Sequence, residues 1–214
     1  MRTSTTRRWP VRYLWLGTLA VVATLLQPAS TAAAGRSIGQ AGAQAAANAI
    51  HRPLGITAGP DGALWFTNQS SDSIGRITTG GNVTSFTGNG ISGPDGITKG
   101  PDGALWFTNY DNNSIGRITT GGNVTDFHKQ GINGIRGPYA ITAGPDGALW
   151  FTNGTHAIGR ITTAGKIKSF SRNGVMVSPP PDGITAGPDG ALWFTNYYDD
   201  SVARMTTAGV VTRF

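Results

Sequence analysis

Short apolar runs alternate with turn-forming residues along most of the chain. In the first clear unit Gly55-Ile56-Thr57 is a brief β-branched segment, and Ala63 to Thr67 is an apolar, aromatic run. Ile74 to Thr78 and Val83 to Phe86 then alternate apolar with small or polar residues. Runs this short, rich in β-branched and aromatic side chains, predict β-strands. Gly59-Pro60-Asp61-Gly62 and Thr79-Gly80-Gly81-Asn82 stand between runs. Pro fixes φ, Asp tolerates turn geometry and Gly supplies positive φ, so both segments predict tight turns. No stretch between 53 and 214 has helical periodicity of useful length. Each unit therefore predicts four antiparallel strands.

The unit recurs. Gly-Pro-Asp-Gly-Ala-Leu-Trp-Phe-Thr-Asn occupies 59–68, 100–109, 144–153 and 187–196, placing Trp65, Trp106, Trp150 and Trp193 at spacings of 41, 44 and 43. Arg76, Arg117, Arg160 and Arg204 keep the same cadence, as do Phe86, Phe127, Phe170 and Phe214. Segments 55–86 and 96–127 differ at only six of 32 positions, so the copies are true tandem repeats. A period near 40 with four strands per unit is the blade of a β-propeller. The expected fold class is all-β and β-propeller-type, with four four-stranded antiparallel blades at about 53–86, 94–127, 138–170 and 181–214. The first strand of each is small enough for a crowded axis. Because an open end exposes a β surface, four blades allow a closed four-bladed ring, a partial propeller completed by self-association, or a piece of a longer gene product.

The N-terminus changes the picture of charge and compartment. Arg2, Arg7, Arg8 and Arg12 precede an apolar run, Tyr13 to Leu26, and Ala32-Ala33-Ala34 supplies small residues at a cleavage position. Residues 1–34 read as a signal peptide, and the mature chain is expected to be secreted, with no membrane association after processing. The run is short for a span of about 20 residues. Residues 35–52 form an Ala-rich lead, in which Ser37-Ile38-Gly39 echoes the third strand. The full chain carries 17 Lys+Arg against 11 acidic residues; without the leader's four Arg the balance is 13 against 11. That small excess, with no basic tract, gives no nucleic-acid footprint. All acidic residues are Asp, and cysteine is absent, excluding disulfides, thiolate metal sites and a cysteine nucleophile.

The loops differ where the strands do not. The fourth-to-first connections, 87–95, 128–139 and 171–182, vary in length, and the second-to-third loops vary in sequence. In a four-stranded meander these two sets emerge on one face, the place for a small-molecule or peptide-like ligand. On that face Tyr110, His156, Tyr197 and Tyr198 are candidate binding residues, since exposed aromatics suit flat or sugar-like ligands. Asp95 and Asp182 sit at equivalent first-strand entrances. They read either as a carboxylate pair for cation binding or acid–base work, or as plain Pro-Asp-Gly turn chemistry. Asp61, Asp102, Asp146 and Asp189 recur in turns on the opposite rim, and they and the four Arg read as scaffold.

Gly-Ile-Thr-Ala-Gly-Pro-Asp-Gly-Ala-Leu-Trp-Phe-Thr-Asn and Ser-Ile-Gly-Arg-Ile-Thr-Thr resemble the repeats of the virginiamycin B lyases, also called streptogramin B lyases, over about 53–214. The resemblance implies a propeller, which that family builds with seven blades. It also implies a magnesium-dependent lyase that linearises a cyclic depsipeptide antibiotic by elimination at its ester bond. Such elimination needs a base and a cation or donor to stabilise the developing charge. Where the family places His at first-strand entrances, this chain has Leu54, Asp95, Tyr139 and Asp182. Where a family blade has Glu four positions beyond the Trp, it has Gln69, Tyr110, Gly154 and Tyr197. Pro138-Tyr139-Ala140-Ile141 resembles a Tyr-bearing family entrance, which makes Tyr139 a catalytic candidate beside Asp95 and Asp182. The catalytic set is otherwise unfilled, so the leading expectation is a binding or scaffold propeller, with an active lyase as the alternative.

Overall fold

The computed structural model describes residues 49–88, 90–128, 134–154, 156–171, 183–196 and 200–214. The expected leader, most of the lead segment, and Asp182, Tyr197 and Tyr198 lie outside these residues. Among the described residues, sixteen strands form four separate four-stranded sheets. Blade one is β1 (Pro53–Ala58), β2 (Leu64–Asn68), β3 (Ser73–Ile77) and β4 (Val83–Thr87). Blade two is β5 (Pro94–Lys99), β6 (Leu105–Asn109), β7 (Ser114–Ile118) and β8 (Val124–His128). Blade three is β9 (Pro138–Ala143), β10 (Leu149–Asn153), β11 (Ala157–Ile161) and β12 (Ile167–Phe170). Blade four is β13 (Ile184–Ala186), β14 (Leu192–Asn196), β15 (Ser201–Met205) and β16 (Val211–Arg213).

Each sheet is an antiparallel meander in chain order. The second strand starts at Leu64, one residue later than the apolar run suggests. Ala63 is held by the turn instead: its N–H donates to Asp61 Oδ1 at 3.4 Å, and its carbonyl accepts from Gly59 N–H at 2.8 Å. The third strand starts one residue early, at Ser73, after a short 3-10 turn over Gln69–Ser71.

The invariant turn is built around tryptophan. Asp61 Oδ1 accepts from Trp65 Nε1 at 3.0 Å while Oδ2 accepts from Arg76 Nε at 2.6 Å, and Arg76 is the cross-strand partner of Trp65. Asp102 repeats this with Trp106 and Arg117, Asp146 with Trp150 and Arg160, and Asp189 with Trp193 and Arg204. Each indole also stacks on the Phe at the end of its own blade, at 5.3–5.5 Å between centroids. The polar N–H is thereby satisfied and the ring face covered, as a large buried aromatic requires. Gly59 is fixed by the same cluster, since a Cβ there would stand 2.3 Å from the Trp65 ring. The scaffold reading of these Asp and Arg residues accounts for every contact they make in the described structure.

The hydrophobic core lies between blades. Trp65 and Ile74 of blade one pack with Ile97, Leu105 and Phe107 of blade two. Trp106 and Ile115 pack with Ile141, Leu149 and Phe151 of blade three, and Trp150 and Ile158 with Leu192 and Phe194 of blade four. At the inner edge β1 abuts β5, β5 abuts β9 and β9 abuts β13, but no comparable contact joins β13 to β1. The closed four-bladed ring is therefore not formed; the molecule is the partial propeller.

Candidate functional site

The innermost strands approach one another backbone to backbone. A Cβ on Gly55 would lie 2.7 Å from the Asp95 carbonyl, and one on Gly96 would lie 2.5 Å from the Tyr139 carbonyl. Two buried threonines of the repeated motif fasten this approach. Thr67 Oγ1 accepts from Gly55 N–H at 2.9 Å and donates to Asp95 O at 2.6 Å. Thr108 Oγ1 accepts from Gly96 N–H at 2.8 Å and donates to Tyr139 O at 2.5 Å. Asp95 and Tyr139 are thus held at matching places on neighbouring inner strands.

Both variable loop sets share one rim, because they bond each other directly. Tyr110 N–H donates to Gly93 O at 3.0 Å, and Gly154 N–H donates to Arg136 O at 2.7 Å. The last motif residue anchors the same connections: Asn109 Oδ1 accepts from Ser92 N–H at 3.1 Å, and its Nδ2 donates to Gly90 O at 3.0 Å. Asn153 does the same with Arg136 N–H and Gly134 O. Next come residues in the left-handed region, Asp72 and Asn113, whose side-chain oxygens accept from Gly93 N–H and Gly137 N–H of the following blade, each at 2.7 Å. Asp, Asn and His tolerate this conformation better than most residues.

Three candidate residues meet on this rim. Tyr110, exposed at 38 %, packs against Tyr139 with ring centroids 5.0 Å apart and planes tilted by 50°. Tyr110 comes from the second-to-third loop of blade two and Tyr139 from the entrance of blade three. Asp95 stands on the strand beside Tyr139, half-buried, and burial raises its pKa above the usual carboxylate value. His156 is apart from this group: it is exposed, with φ of 57°, at the turn position that Asp72 and Asn113 hold in the preceding blades. Tyr197, Tyr198 and Asp182 lie outside the described residues.

Magnesium, which the resemblance implies, takes about six oxygen ligands in near-octahedral geometry and keeps several waters. Around Tyr139 the described rim supplies one carboxylate, Asp95. Among the described residues no group of three or more His, Cys, Asp or Glu is placed to hold a metal ion. This donor set does not fit a magnesium site.

Sequence reasoning missed the threonine and asparagine fasteners. The signal was present, in that a polar Thr-Asn pair ends a buried strand in all four copies, where unpaired polar groups would be costly. The left-handed clasp was hidden because its residue changes from Asp to Asn to His while its backbone role stays fixed.

The sequence matches the family model described as the virginiamycin B lyase family over residues 30–214. A 33-residue stretch is 61 % identical to a virginiamycin B lyase of Saccharopolyspora erythraea, covering 15 % of this chain and 11 % of that protein. The fold superposes on a catalytically inactive His-to-Ala virginiamycin B lyase from Staphylococcus aureus with quinupristin, at a TM-score of 0.69 and 41 % identity. That match covers 76 % of this chain and 55 % of the lyase. A streptogramin B lyase structure matches at a TM-score of 0.68 and 33 % identity, covering 76 % of this chain and 54 % of that one. The chain thus spans about half the length of the lyase structures it matches.

Proposed function

The chain belongs to the virginiamycin B lyase family, and from that premise we propose that it is a secreted ligand-binding propeller whose variable-loop rim takes a cyclic peptide-like small molecule. The Tyr110–Tyr139 pair carries this reading. Two residues far apart in sequence present adjoining aromatic surfaces, one of them exposed, beside a half-buried carboxylate. Such a site offers flat apolar area with one polar group to fix orientation, the usual make-up of a small-molecule pocket. The N-terminal leader pattern supports export. Quinupristin, the compound held by the Staphylococcus lyase, is the probe of choice. Calorimetric titration is expected to give saturable binding to the wild-type chain and about a tenfold or greater loss in Tyr110→Ala, equivalent to about 1.4 kcal/mol. Equal affinity in the variant refutes the aromatic site.

One observation favours a lyase as the second reading. Burial lifts Asp95 above the ordinary carboxylate range, which moves it toward the strength that proton abstraction beside a carbonyl needs near neutral pH. Asp95 is then the base, and Tyr139 on the adjoining strand the hydrogen-bond donor to the developing oxyanion. Mass spectrometry separates the readings. Elimination converts quinupristin to a linear product of unchanged mass but new retention, hydrolysis adds the mass of water, and intact quinupristin after prolonged incubation refutes the lyase.

A further inference from the structure

The two ends of the arc are the two halves of an interface that the chain already makes three times. On the leading side of each internal junction stand an Ile and a Leu. Ile97 is 7 % exposed and Leu105 0 %, yet their blade-one counterparts Ile56 and Leu64 are 62 % and 43 % exposed. On the trailing side Ile74, Ile115 and Ile158 are fully buried, while their blade-four counterpart Val202 is 41 % exposed.

Finer fittings follow the same pattern. Gly122, Gly165 and Gly209 lie against Phe86, Phe127 and Phe170 of the blade before. Their blade-one counterpart Gly81 has no heavy atom within 4 Å of a Cβ position, and Phe214 of blade four is 67 % exposed. Thr195 is exposed at the place where Thr67 and Thr108 are buried and donate to the next blade's inner strand. Every element of a fourth junction is present, with its halves at opposite ends of one chain.

We propose that the occupant of each open face is a second copy of this chain, joined head to tail at two identical junctions to close an eight-bladed ring. The continuity of these faces with the three internal interfaces selects the partner: the surface that fits blade four's back is blade one's front. Such a heterologous contact ends in a ring when its rotation closes and in a filament when it does not. Eight blades fall within the roughly four to eight of known closed propellers. At each junction the partner's Gly81 covers Phe214, and Thr195 donates to the partner's Leu54 carbonyl. The inference stands independently of the ligand reading.

Size-exclusion chromatography with light scattering tests it at micromolar concentration. The purified chain is expected to run at twice its single-chain mass. Leu64→Asp on the front and Val202→Asp on the back are each expected to halve that mass with unchanged circular dichroism, because both side chains are exposed within one chain. An equimolar mixture of the two variants is expected to regain a two-chain species. In it the intact back of the Leu64→Asp chain meets the intact front of the Val202→Asp chain. A single-chain mass for the wild type overturns the proposal, whether its faces are then bare or covered by its own N-terminal segment. So does a two-chain mass that survives both substitutions, an assembly growing without limit, or a mixture that stays single-chain.

Discussion

Thr108→Val removes one hydroxyl and nearly no volume, so it isolates the fastening of blade two to blade three. Thr108 is fully buried, and its Oγ1 both accepts from Gly96 N–H and donates to Tyr139 O. Valine leaves a buried donor and a buried acceptor unpaired, each costing about 1–3 kcal/mol, partly offset by burying a methyl in place of the hydroxyl. The expected net loss is about 2–4 kcal/mol. With a urea m-value of about 2 kcal/mol/M, the unfolding midpoint falls by about 1–2 M. Thr125→Val is the control: Thr125 is exposed on β8, where such a change stays within about 0.5 kcal/mol. Urea melts followed by tryptophan fluorescence, with buried Trp106 and Trp150 as reporters, read both variants. A Thr108→Val midpoint no lower than that of Thr125→Val refutes the claim that these hydroxyls join the blades.

Other outcomes follow from the same contacts. Burial raises the pKa of Asp102, but hydrogen bonds from Trp106 and Arg117 outweigh it and leave the pKa lowered; at Asp189 the bonds to Trp193 and Arg204 lower it to about 2. A lowered folded-state pKa stabilises above the unfolded value of 3.8 and is lost as pH falls toward the folded value, so thermal midpoints are expected to drop between pH 4 and pH 2. Asp102→Asn is expected to shrink that drop in a melt series across this window. Asp95 has the opposite sign: its raised pKa makes its contribution largest below 3.8 and erodes it as pH rises through the folded value. Asp95→Asn is therefore expected to melt higher than wild type at pH 7 and to converge with it in acid. Gly100→Ala forces a Cβ to within 2.4 Å of the Trp106 ring and 2.6 Å of Asp102 Oδ1, and is expected to cost about 1–3 kcal/mol in a denaturant melt.

Blade architecture is legible in the sequence because each strand is a local statement. Period-two patterning, Pro-Asp-Gly turns and a recurring Trp specify four strands without reference to other blades. Contacts between blades are less legible. Asp61 reaches Trp65 and Arg76 around one turn, within reach of inspection, but Thr108 to Tyr139 spans a variable connection whose length is the only clue. Closure is least legible of all. Ile56 and Ile97 sit in near-identical local sequence, yet one is largely exposed and the other buried, since burial depends on whether a blade stands in front. At the rim, Tyr110 and Tyr139 were each visible as an aromatic in a variable position. Their contact depends on the left-handed Asn113 turn and its bond to Gly137, which no residue pattern announces.

The placement of the ligand site on the variable-loop rim is tested most directly by hydrogen–deuterium exchange of the chain with and without quinupristin. Binding at the tyrosine pair is expected to slow exchange in peptides spanning 93–97, 110–114 and 137–141, leaving the Pro-Asp-Gly turns at 60–62, 101–103 and 145–147 unchanged. Slowed exchange confined to those turns, or none at saturating quinupristin, contradicts the account.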